Sequence, residues 1–125
     1  MSAHDDGLYL HHIDQAVTKI TRRLHDVTRA MFDDNDLLQD GIIRQLEIIG
    51  EAAARLSNTF QKEHPDLDIR NMKGVRNVLI HGYANVDLDV VWDITQRDIP
   101  ILQAQLALLA PEQSPAAEEK EKPES

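Results

Sequence analysis

Arg76, His81 and Tyr83 are the residues of this 125-residue chain whose types and spacing could do chemistry. They fall within Arg76-Asn77-Val78-Leu79-Ile80-His81-Gly82-Tyr83, where an apolar run gives way to a glycine-containing turn. An imidazole titrates near neutrality and can serve as acid or base. A guanidinium offers phosphate oxygens a rigid, permanently charged fork. Together they suit RNA cleavage, in which a 2′-hydroxyl attacks its own phosphate and needs a base, an acid and stabilisation of the charged phosphorane. The scheme requires no metal and no cofactor. Spacing alone also fits a capping histidine and a solvated arginine, so it leaves both readings open.

The elements that must position these groups constrain the site. Five residues along a regular helix turn through about 140° beyond one full turn, so Arg76 and His81 would not share a face. Asn77 and His81, four apart, would be neighbours, and Asn77 is a supporting candidate. A joint Arg/His site therefore needs the helix to end near Ile80, or a second protomer. Gly82 makes the first option easy.

Four helical segments are expected, with no strand pattern. The first runs from about Leu8 to Ala30, on a stripe of Ile13, Val17, Ile20, Leu24, Val27 and Met31. Asp36 with Gln39 resembles a capping box for the second, from about Leu37 to Lys62. Gly50 lies inside it, where glycine costs about 1 kcal/mol relative to alanine. His64-Pro65-Asp66 is a breaker, and Asn71 is the expected cap of a third helix over 72–80. Asp87 should cap a fourth, running to Leu109, with Pro100 kinking it or starting a new segment capped by Asp98. The expected fold is all-α, an up-and-down bundle of four to five helices over residues 1–110. Surplus apolar surface on the second and fourth helices predicts a homodimer.

Composition narrows the function classes. The net charge of −9 argues against a protein that coats nucleic acid, because phosphate neutralisation needs clustered cations. Any nucleic-acid chemistry must rest on a local site. Cysteine is absent, which excludes disulfides and thiolate metal sites. No signal-peptide pattern or membrane-spanning run is evident, so a cytoplasmic protein is expected. Residues 111–125 hold five Glu and two Lys among Pro, Ala and Ser, and are expected to be a disordered acidic tail.

Other candidates read more simply as structure. His11 and His12 are adjacent and diverge around a helix, so they cannot pair on a metal. Arg22, Arg23 and Arg29 could touch phosphate but fit solvated charge better. Trp92 reads as packing in preference to base stacking. Glu47 and Glu51 read as an ion-pair row with Arg44 and Arg55.

Arg-x4-His-x-Tyr resembles the signature of the HepT-like ribonuclease toxins of the HEPN superfamily. The similarity extends from about Leu8 to Leu109, through Leu46–Ala53, Gly74–Asn77, Asp87–Trp92 and Asp98-Ile99-Pro100. Asp68-Ile69 stands where family members often carry Pro-Trp. The resemblance implies a homodimer with both motifs meeting in a cleft, and a metal-independent RNA endonuclease using Arg76 and His81. It also implies a minimal nucleotidyltransferase antitoxin that can transfer AMP to Tyr83, placing negative charge beside the cleft. The alternative is a non-catalytic bundle that dimerises and docks or regulates such a nucleotidyltransferase.

Overall fold

The computed structural model describes residues 5–81 and 86–109, the stretch 76–81 by its backbone alone. Tyr83 and the expected acidic tail lie outside the described residues. Every regular element among those described is helical, and no helix there is long and apolar enough to cross a membrane.

Helix α1, Asp6–Arg23, begins at Asp5, whose carboxylate accepts from the Leu8 N–H at 3.1 Å. Leu10, Ile13, Ala16, Val17 and Ile20 are its buried face. The expected continuation to Ala30 does not form. Asp26 takes φ 60°, a left-handed conformation that a short polar side chain tolerates better than most. Thr28 then caps a separate helix α2, Arg29–Asp33, by accepting from the Met31 N–H. The break turns Phe32 fully into the core, while Met31, expected on the stripe, is half exposed.

Helix α3, Asp36–Ala54, is capped by Asn35 and not by Asp36: the Asn35 side chain accepts from the Leu38 N–H at 3.0 Å. The Gln39 amide, expected to complete a capping box, instead donates to the carbonyls of Phe32 and Asp33 at 2.9 and 3.1 Å. Those carbonyls end α2; the Phe32 carbonyl also accepts from the Asn35 N–H at 3.3 Å, and the Gln39 side chain helps close the corner. The second expected helix is also split. The Ser57 N–H is donated to Asp6 at 2.8 Å instead of back along the helix, and the Ser57 hydroxyl donates to the other Asp6 oxygen at 2.7 Å. Ser57 Oγ in turn accepts from the Phe60 N–H, capping α4, Asn58–Glu63.

Asp6 thus holds the start of α1 to the end of α3, fixing the two as antiparallel neighbours. Removing its carboxylate leaves two half-buried donors unsatisfied. Asp6→Ala should lower unfolding free energy by about 1–3 kcal/mol, measured by urea denaturation.

Helix α5, Ile69–His81, starts three residues before the position expected. Asp68, not Asn71, is the cap, accepting from the Asn71 N–H at 3.1 Å. Ile69, Met72 and Val75 of α5 are buried, and the helix packs against α3. Helix α6, Leu88–Asp93, is capped by Asp87 as expected. A π-helical segment, Ile94–Asp98, then leads without a break into α7, Ile99–Ala107. Asp98 makes no capping hydrogen bond. Pro100 lacks an N–H and crowds the carbonyl of the preceding turn, and a widened turn just before it absorbs both effects. Thr95, buried in that turn, donates its hydroxyl to the Trp92 carbonyl at 2.7 Å.

The result is an up-and-down bundle in which α3 packs between α1 and α5, α7 packs on α1, and α2 packs on α3. Phe32, Leu10, Ile13, Ile20, Ile42, Leu46 and Ile49 form the fully buried centre.

Candidate functional site

The motif occupies the last turns of α5 and the segment after it. Helix α5 is continuous through His81, so Arg76 and His81 both belong to it. The regular 100° step sets their positions about 140° apart around the axis. The described helix reaches His81, one residue beyond the end expected near Ile80 and within the residue or two by which helix ends are defined, so both ways of bringing the two residues together stay open. Asn77 lies on the same helix, one turn before His81.

An ion-pair bridge ties α6, which follows residues 82–85, to α2. Arg29 donates from Nε to Asp33 at 2.8 Å and from Nη2 to Asp89 at 2.6 Å, joining α2 to the first turn of α6. Those bonds, Asp33 first, push the guanidinium above its ordinary value, so it stays charged. Arg29 is therefore a clamp between helices, not an idle cation awaiting phosphate. Behind it, the Phe32 and Trp92 rings meet at 5.2 Å and 44°. Trp92 is a packing residue, as its place on the helix implied.

Gly74 stands two residues before Arg76, beside a groove of about 370 Å³ lined by Asn71, Val75, Val90, Asp93 and Arg97. A Cβ built there meets nothing within 4 Å among the described residues. The position is helical, so Gly74→Ala should raise stability by about 0.5–1 kcal/mol. Thermal unfolding checks this; a loss instead of a gain would show that another surface packs there.

The remaining candidates resolve into structure. His64 stacks on Phe60 at 4.2 Å, with Nδ1 3.2 Å from the Phe60 carbonyl. His12 meets Tyr9 edge-on at 6.1 Å. Arg44 pairs with Glu47 at 3.3 Å, in keeping with an ion-pair row. Among the described residues, no group of three or more His, Asp or Glu is placed to hold a metal ion.

One feature escaped sequence reasoning. A groove of about 430 Å³ runs between α1 and α3, with Tyr9, His12, Lys19, Arg44, Gln45 and Arg55 along it. Gln45 is 7% exposed. Its signal was present: it lies three residues after Ile42 and four before Ile49, a polar side chain on the buried stripe.

A helical bundle of this order, with the Arg and His of an Arg-x4-His-x-Tyr motif on its fifth helix, fits a HEPN-type domain. The family model described as ribonuclease HepT-like matches residues 13–109. The chain belongs to that family. It is 36% identical over 101 residues to the "Probable ribonuclease HepT" of Thermococcus cleftensis, covering 81% of this chain and 92% of that one. It is 30% identical over 109 residues to the "Putative RNase MJ1380" of Methanocaldococcus jannaschii, covering 87% of this chain and all of the relative. No solved structure matches.

Proposed function

We propose that this chain is the ribonuclease toxin of a toxin–antitoxin pair of the type VII kind, a metal-independent RNA endonuclease of the cytoplasm. Arg76 and His81 are its catalytic residues. The observation that carries the reading is the Arg-x4-His-x-Tyr motif in a chain of the ribonuclease HepT-like family.

The chemistry follows from the residue types. One histidine takes the proton of the 2′-hydroxyl as its oxygen attacks phosphorus, and an acid returns a proton to the departing 5′-oxygen. Arginine stabilises the dianionic phosphorane between these steps. One helix separates positions 76 and 81 around its axis, so two chains meeting at α5 supply the set: two imidazoles and two guanidiniums in one cleft. A homodimer also covers apolar surface the monomer exposes, such as Leu37 at 79% and Met31 at 51%. Asn77 supports His81 from the preceding turn.

Tyr83 is the acceptor for AMP delivered by a nucleotidyltransferase antitoxin. The added phosphate carries negative charge two residues from His81 and repels the RNA backbone.

Expression in bacteria separates this reading from a non-catalytic docking module. The chain alone should arrest growth, and His81→Ala should abolish the arrest. Arrest that persists in His81→Ala, or toxicity that follows the partner instead, would overturn it.

A further inference from the structure

The groove between α1 and α3 carries a site the motif does not use. Gln45 is more than nine-tenths buried on its floor, and its amide has no hydrogen-bond partner among the described residues. A buried carboxamide without a partner is costly and is uncommon unless something else satisfies it. The groove's volume of about 430 Å³ falls within the range of about 300–1,000 Å³ usual for small-ligand pockets.

The walls indicate what that ligand is. Tyr9 and His12 stand edge to face at one side, presenting aromatic surface. Lys19 stands at the rim beside Arg44, which is paired with Glu47 at 3.3 Å, so the positive charge a ligand's phosphate would meet there is that of Lys19. An aromatic side wall, a carboxamide floor and a cationic rim match the three parts of a nucleotide: base face, base edge and phosphate. A carboxamide pairs in two-point fashion with adenine, donating to one ring nitrogen and accepting from the exocyclic amine.

We propose that the α1–α3 groove binds an adenine nucleotide unit, with the base edge on Gln45 and the phosphate at Lys19. Resting on the ribonuclease reading, the nucleotide is a unit of the RNA substrate, and the groove selects and anchors the strand away from the scissile bond. A free adenine nucleotide shares the chemistry and is the other source to distinguish.

Fluorescence anisotropy with labelled pentanucleotides tests this, using full-length His81→Ala protein so that no probe is cut. The protein should bind the oligoadenylate at least about fivefold more tightly than the oligocytidylate, since a two-point base contact is worth about 1 kcal/mol or more. Gln45→Met, close in shape, should erase that preference while leaving salt-dependent binding of both strands. Gln45→Glu guards against a packing artefact and should also lose the preference. Lys19→Glu should weaken both oligomers alike and flatten the salt dependence. Competition by AMP at the same concentration as the oligoadenylate would assign the site to a free nucleotide; competition only by the strand would assign it to RNA. Equal binding of both oligomers by the parent protein, or a preference unchanged in folded Gln45→Met, overturns the proposal. Motif-dependent cleavage with no groove preference sinks this inference alone, and groove binding without any cleavage by the native chain sinks the ribonuclease reading alone.

Discussion

His81→Ala should lower RNA cleavage by about 10²–10⁴-fold, the range for removing a positioned general acid or base. Arg76→Ala should cost about 10²–10³-fold, the scale for losing one donor to a developing oxyanion. The two effects should not add. Residues that act on one transition state fail together, so the double variant should resemble the worse single one. Gel-based cleavage of a structured RNA under single-turnover conditions reads all three. Mixing carries the dimer argument further. If one chain supplies the arginine and the other the histidine, mixed His81→Ala and Arg76→Ala protein should recover part of the lost activity. Additive losses with no recovery would place both groups in one chain and contradict the geometry of α5.

Phe32→Ala should be the costliest single change to stability, about 3–5 kcal/mol. Phe32 is 0% exposed and sits where α2, α3 and α6 converge. Its ring meets Trp92 at 5.2 Å, so truncation removes that contact and leaves a cavity at the centre of the corner. Against a typical total of about 5–15 kcal/mol, that is a large share. The chain has one tryptophan, and it lies at this contact, so urea unfolding followed by its fluorescence reports the site directly. Met31→Ala, next door but half exposed, should change stability by about 0.5 kcal/mol or less. A loss in Phe32→Ala below about 1 kcal/mol would contradict the packing described for this corner.

The long apolar stripes were legible from spacing, because Ile13 to Ile20 and Ile42 to Ile49 bury at helical intervals whatever surrounds them. The breaks were not. Ser57 ends α3 because its N–H and hydroxyl turn to Asp6, 51 residues away, and no local pattern carries that information. Thr28 and Asn35 are ordinary capping types, yet Val27 and Met31 continue the stripe across the break and mask it. Asn71 and Asp68 were equally eligible caps, and the buried Ile69 decides for Asp68. Pro100 was visible as a disturbance, but a widened turn in place of a new start depends on packing around Thr95 and Trp92. For the site, residue types and spacing singled out Arg76 and His81 and showed that one regular helical face could not hold both. In the proposed dimer the second contributor to the cleft is another chain, which no single sequence displays. Gln45 was overlooked because a lone polar residue on an apolar stripe gains meaning only once its burial and the groove beside it are known.

The proposed ribonuclease cleaves RNA with its own side chains. Purified protein incubated with a structured RNA in excess EDTA, with product termini read by mass spectrometry, tests this most directly. Fragments should end in 2′,3′-cyclic phosphate in the native protein, with His81→Ala inert. Intact RNA, or fragments ending in a 3′-hydroxyl that appear only when a divalent metal is restored, would contradict it.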